Sequence, residues 1–559
     1  MRGDRGAENT RSVGLVKGVE PVARRRYVRW VKTDDGTSRE LTVPGATRAE
    51  AAKAAGRGGA AIAVAKVSFV LVGFVQQLVF PRVLDEAGYG AVSRMLAVVS
   101  IVNNVVVAMS IQGVSRTVAG AREGEEGQAL RRVLSVHAAV ALAVSVGFAL
   151  AAGALADALE APHARVPLRV AAIVVLCYGV YAPLVGALNG RRRFYDQAGL
   201  DIFYGVSRTI AMTTGAYVAA RVMGLDGALG AAIGFAGAAL LIVPIALSRS
   251  GIGEAVRPHL PPTTSVPSVA SYAWFLLPLF VGQLGLNLLL QVDMLLLSEA
   301  AGEAAKLRGL DVKEADKLLG PYRATQLFGF LPYQLLMSVQ FVLFPLLAKA
   351  RAERDEASVR AFTAQGMRLA LVLTGLLGGT AAAMAPQLLR FAFPEAIAAE
   401  AAPFSRGYVL GMSALAVFGV ASAALTSLRR ELVTMALTLA TVGLIVGGIH
   451  ATRPEGAFGA ELLRATAYAT SGAVALGAVV AALVLRGVAG ALVSPLTVVR
   501  VALGVAAAFA VASVLPTLPK ILVPVAALGV GGVYAGVLVA TRELGRGDLA
   551  MLKRVVGRK

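Results

Sequence analysis

Apolar segments of about 20 residues or more recur along the chain from residue 60 to residue 541, and we count fourteen of them. An α-helix needs about 20 apolar residues to cross the hydrocarbon of a bilayer, and a soluble core has no use for so many. With 57% apolar residues and a mean hydropathy of +0.69, the 559-residue chain reads as an all-α polytopic membrane protein. Its 61 glycines suit helices that pack closely in lipid. The single cysteine, Cys177, lies within an apolar span and excludes a disulfide framework.

The spans fall near 60–84, 89–113, 130–156, 166–188, 200–222 and 226–247, then near 271–298, 320–347, 362–384, 404–427, 431–451 and 464–485. A last pair lies near 496–515 and 520–541. This divides the chain into a basic N-terminal arm (1–59), a first lobe of six helices (60–250), a cytoplasmic linker (251–270), a second lobe of six (271–486), and a closing pair with a basic tail (487–559). The linker reads RPHLPPTTSVP. Within the arm, YVRWVKTDDGTSRELTV alternates around Asp35-Gly36, the signature of a β-hairpin. The first sixty residues hold no apolar core of signal-peptide length.

The net charge of +20 sits in alternate loops, as membrane insertion demands, and does not point to nucleic acid. With the amino terminus inside, that side holds about 36 of the 54 Lys and Arg, so both termini are expected in the cytoplasm. The halves also repeat. The fourth span ends ALNGRRRFYDQ and the tenth ALTSLRRELVT; the second opens YGAVSRML at Tyr89 and the eighth YRATQLFG at Tyr322. Six spans, an even number, separate each pair. The halves therefore run the same way through the membrane as parallel lobes, with a cavity expected between them.

No nucleotide, hydrolase or zinc-protease motif is present, and the four histidines are scattered, so the expectation is a carrier with no catalytic residue, metal or cofactor. Chemistry must then lie in polar groups at hydrocarbon depth, which face protein or water because lipid offers no hydrogen-bond partner. Gln283, Asn287 and Gln291 form one helical stripe in the seventh span; Gln326, Tyr333 and Gln340 form another in the eighth. Each stripe is either cavity lining or helix-to-helix glue. Gln76 and Asn104 add amides in the first two spans. Arg94 either snorkels to the headgroups or meets a phosphate. Arg208, seven residues after Asp201 on the same face, is a structural partner or an anion contact. Asp293 is the candidate for ion coupling to H+ or Na+, or else the partner of an arginine such as Arg94 or Arg323.

Several stretches together resemble the polysaccharide exporters and lipid-linked oligosaccharide flippases. They are PRVLDEAGYGAVSRML, ALNGRRRF, QVDMLLLS and PYRATQLFGFLPYQLLMSVQFVLFPLLAK. These groups belong to the multidrug/oligosaccharidyl-lipid/polysaccharide (MOP) superfamily, with the lipid II flippases and the MATE drug exporters. Arg82 takes the arginine of the R-x-L-G-x-x-x-Y-G pattern, and Asp85 stands where the family often has Gly. The resemblance covers about residues 60–485. It implies two six-helix lobes around a central cavity, and export of a polyprenyl-pyrophosphate-linked glycan across the bacterial inner membrane by alternating access, alongside membrane lipids and glycan polymerase machinery. The last two spans look like those of fourteen-helix members. A MATE-type cation-coupled exporter and a lipid II flippase are the alternatives.

Overall fold

A computed structural model describes residues 29–32, 38–41, 48–121, 126–250 and 268–545. Most of the expected linker, the Asp35-Gly36 turn and the basic tail lie outside the described residues. Residues 1–60 and 61–559 form two compact units. In the first, strands Arg29–Lys32 and Ser38–Leu41 pair antiparallel, with Arg29 opposite Leu41 and Lys32 opposite Ser38.

The rest is helical: α1 (Arg48–Val83), α2 (Glu86–Gly120), α3 (Glu126–Ala158), α4 (Arg165–Gly190), α5 (Phe194–Tyr217) and α6 (Gly227–Arg249). There follow α7 (Val269–Leu307), α8 (Val312–Ala352), α9 (Glu356–Ala383), a short α10 (Ala385–Ala392), α11 (Glu395–Ser427), α12 (Glu431–Thr452), α13 (Ala460–Ala489), α14 (Pro495–Val514) and α15 (Val523–Ala540). Among the described residues, twelve helices are long and apolar enough to cross a membrane. Helices α5 and α8 match them in length but are more polar, carrying Asp201 and Arg208 in one and Arg323, Gln326 and Gln334 in the other. The sequence did not anticipate α10 as a separate element.

Local signals explain the helix ends. Asp85, Asp226 and Asp311 cap α2, α6 and α8, each accepting a backbone N–H in the first turn. The two repeated arginine turns close with the same pair of hydrogen bonds. Arg193 N donates to Leu188 O at 2.8 Å and Arg430 N to Leu425 O at 3.0 Å; Arg192 N donates to Asn189 O and Arg429 N to Thr426 O. Both are Schellman closures, with Arg192 (φ 59°) and Arg429 (φ 62°) in the left-handed region usually given to glycine.

In the first lobe α2, α3 and α6 pack on α4, and α5 on α6; in the second, α8 and α13 flank α11 and α12 packs on α13. Between the lobes α2 lies along both α7 and α8. The approach of α2 to α8 is so close that a Cβ on Gly90 would sit 1.8 Å from Asp316 O, a small-residue contact of the kind membrane helices use.

Helices α14 and α15 dock on α9, where residues Gly375–Gly379 form a π-helical turn. Tyr534 Oη reaches the carbonyl of Val372 at 2.9 Å, and a Cβ on Gly375 would meet that hydroxyl at 2.3 Å. Just past α15, Glu543 is buried and accepts from Arg368 Nε (2.7 Å), Thr497 Oγ1 (2.9 Å) and Arg500 Nη1 (3.0 Å). Burial alone would raise this carboxyl; the three donors outweigh it and hold its pKa below the ordinary value.

Candidate functional site

The polar residues at depth fall into three groups rather than one. The first joins the lobes at the end of the bundle where α2 begins and α7 ends. Arg94, only 1% exposed, donates Nε to Ser298 Oγ of α7 at 2.6 Å and Nη2 to Asp316 of α8, and Nη1 lies 3.2 Å from His163 Nε2. His163 Nε2 is 2.8 Å from Asp316 Oδ2. Sequence reasoning set Arg94 near one end of its span but found none of its partners. Its guanidinium neither snorkels nor stands free; it ties α2, the α3–α4 turn, α7 and α8 together. A cavity of about 590 Å³ opens beyond it, lined by residues of four inter-helix turns, among them His163, Arg221, Lys313 and Asp316.

The contact continues down α7. At mid-depth Asn104 Nδ2 donates to Asn287 Oδ1 at 3.0 Å, and Asn287 Nδ2 to Gln283 O at 2.8 Å. At the far end Tyr272 Oη lies 2.8 Å from His137 Nε2, whose Nδ1 is 3.0 Å from Ser110 Oγ. Helix α7 opens the second half of the chain, yet it is bound to the first lobe at three levels.

The second group is inside the second lobe. Asp293, 1% exposed, accepts from Tyr322 Oη (2.7 Å), Tyr408 Oη (3.1 Å), Met294 N (2.8 Å) and, at 3.3 Å, Gln326 Nε2. Arg323 donates to Gln326 Oε1 at 2.6 Å, one residue removed from the carboxylate. The pairing with Arg94 entertained from sequence does not form, because Arg94 is spent on Asp316. Tyr333 and Gln340 both lie over Gly419 of α11, and Gln340 Nε2 is buried without a partner. Of that stripe, then, Gln326 faces Asp293 while its other two members face α11.

The third group is inside the first lobe. Arg208, half-buried, stacks its guanidinium over Phe69 at 4.8 Å and Phe235 at 5.9 Å, and its Nε is buried with no hydrogen bond. Asp201 does not pair with it; Lys66 (3.1 Å) and Tyr181 (3.4 Å) take that carboxylate. Gln76 is buried close by on α1 and accepts from Thr209 Oγ1 at 3.0 Å while its Nε2 reaches Met212 Sδ at 3.2 Å. Arg208 also hydrogen-bonds Tyr178, while its Nε, like that of Arg323, has no partner.

Residues 55–351, over half the chain, match the polysaccharide biosynthesis protein family. The chain belongs to that family. Comparison with curated protein sequences finds no match. Among solved structures, the lipid II flippase MurJ in an inward closed conformation superposes with a TM-score of 0.67 at 14% identity, covering 86% of this chain and 99% of that one. An inward-facing MATE multidrug resistance transporter of the MOP superfamily gives 0.59 at 14% identity, covering 76% and 98%; a MATE in a straight conformation gives 0.54 at 13%, covering 77% and 96%. At such identities the likeness is one of fold, and the fold is that of the MOP superfamily.

In this family member the stretch around Arg82 is a joint between lobes. Arg82 Nη2 donates to Ala392 O at the end of α10 at 2.8 Å. Asp85 makes a regular cap by accepting Gly88 N at 2.7 Å. Tyr89 is fully buried and donates to Gln77 Oε1 at 3.2 Å, the counterpart of Tyr322 donating to Asp293 in the repeat.

Proposed function

We propose that the chain flips a polyprenyl-pyrophosphate-linked oligosaccharide across the bacterial inner membrane by alternating access, with both termini in the cytoplasm. The observation that carries this reading is the half-buried Arg208 with its Nε unpaired. A guanidinium held on aromatic faces, with donors to spare, suits a pyrophosphate. The amides of Asn104, Gln283 and Asn287 suit sugar hydroxyls between the lobes, with Tyr333 and Gln340 joining them as the second lobe moves. Gln76 positions the α1–α5 wall behind Arg208. In this reading the Arg94 cluster closes one end of the pathway, and the substrate enters at the other once the Tyr272–His137 contact has parted. When the lobes part, Arg94 leaves Asp316 and meets the departing phosphate. Asp293, with Gln326, is the site for H+ or Na+, which supplies the driving force in place of ATP. The flipped glycan passes to polymerase machinery.

Single-turnover flipping of a fluorescent polyprenyl-pyrophosphate glycan in reconstituted vesicles tests the assignment. Arg94→Ala is expected to abolish glycan surface display while the protein still inserts; undiminished display removes Arg94 from the transport path. The MATE-like fold keeps one rival reading, a cation-coupled drug exporter. Drug resistance conferred by expression, with no glycan flipping in vesicles, would decide for it.

A further inference from the structure

Short helix α10 lies between two long ones and is amphipathic: Ala385, Leu389 and Ala392 are buried while Arg390 and Phe391 face out. Opposite it lies the α14–α15 turn, residues 515–522, stiffened by Pro516 and Pro519. Together they enclose a cavity of about 120 Å³ whose polar lining includes Gln387, Arg390, Thr517 and Lys520. We propose that this cavity binds the phosphodiester headgroup of an anionic glycerophospholipid, in the leaflet at the end of the bundle where the Arg94 cluster lies.

Three observations converge on that ligand. Two cations, Arg390 and Lys520, flank the cavity. Arg390's acidic partner, Glu395, is 3.7 Å away, and the pair is exposed at 47% and 72%, so it is weak and leaves the charge available to a phosphate. Gln387 Oε1 is sealed from solvent and has no hydrogen-bond partner. Rotation of the amide toward the cavity would offer this acceptor to a headgroup hydroxyl, which a glycerol head supplies and a choline head does not. Last, the depth is right. Helix α14 ends at Val514 and α15 begins at Val523, so the turn lies at the ends of the apolar spans, at headgroup level. Val514 and Ile521, 79% and 82% exposed, stand beside it where acyl chains would run. An occupant would also sit one turn from Ala392, whose carbonyl is held by Arg82 of the first lobe.

The test is lipid binding by the full chain, a readout independent of what the carrier moves. Purified protein in detergent is titrated with palmitoyl-oleoyl phosphatidylglycerol or phosphatidylcholine and read by native mass spectrometry. One phosphatidylglycerol should be retained in preference to phosphatidylcholine. Arg390→Ala with Lys520→Ala should weaken it about 25-fold, roughly fivefold for each cation, and Arg390→Lys should keep most of the binding. Gln387→Leu should narrow the preference for the glycerol head. Both cations are exposed, so an unchanged unfolding temperature shows that the double variant is folded. Equal retention of the two lipids, or wild-type phosphatidylglycerol binding by the folded double variant, overturns the proposal. So does sn-glycerol 3-phosphate binding as tightly as the lipid, which would place recognition in a soluble phosphate.

Discussion

Asp293 in the second lobe is surrounded by donors: two tyrosine hydroxyls, a backbone N–H and a glutamine amide, all inside a buried helix contact. Arg208 in the first lobe has two aromatic rings and the Tyr178 hydroxyl for company, and an Nε with nothing to donate to. Both charges belong to parallel halves of one fold, yet one is satisfied and the other is not. A buried charge with every partner in place holds a lobe in shape; a charge short of partners is one that a ligand can complete. The contrast gives Asp293 a part in the shape of the second lobe and leaves Arg208 open to a ligand, as the proposed function requires.

The largest expected effect falls on stability. Asp293→Ala strips the acceptor from Tyr322 and Tyr408, each loss costing about 1–3 kcal/mol, so thermal unfolding in detergent should drop sharply. Asp293→Asn, which still accepts, should drop far less and should uncouple flipping from an imposed ion gradient. An unchanged unfolding temperature in Asp293→Ala would break the comparison. Next comes Arg208→Ala, expected to slow flipping by about tenfold or more, the worth of one charge-assisted hydrogen bond, with little change in unfolding temperature. A thermal loss as large as that of Asp293→Ala would make Arg208 structural and erase the difference between the lobes.

A smaller effect separates the lobes through α14 and α15, which pack only on second-lobe helices among the described contacts. The Glu543 carboxyl is depressed in the fold. Its contribution is therefore complete above the ordinary carboxyl value of 4.5 and fades as pH falls through the lower folded value. Unfolding temperature measured from pH 7 downward should fall below about 4.5 in the wild type, and this component should vanish in Glu543→Gln. The smallest shift probes the repeat itself. Arg192→Gly and Arg429→Gly should each stabilise by about 1 kcal/mol through relief of left-handed backbone, and by equal amounts if the turns are true equivalents.

The helices and the repeat were legible because hydropathy and the arginine turns are local signals. Leu188 to Arg193 and Leu425 to Arg430 close their helices by the same bonds that their shared letters suggest. The candidate site was legible only in part. A seven-residue period puts Gln326, Tyr333 and Gln340 on one face but does not say which neighbour that face meets. Asp316 is 222 residues from Arg94 and reads as one more acid in a charged loop. His163 and His137 read as scattered, since nothing in the sequence reports that each would sit at a meeting of helices from both lobes. A charge within a membrane span was enough to single out Arg208, but its missing partner is a fact of three dimensions.

The grip of α2 and α3 on α7 has a consequence for how the chain is put together. Because Ser298, Asn287 and Tyr272 each bond to the first lobe, contacts between the described helices themselves hold α7 against the first lobe. Two separately translated fragments, divided near residue 260, should find one another in the bilayer and restore a working carrier.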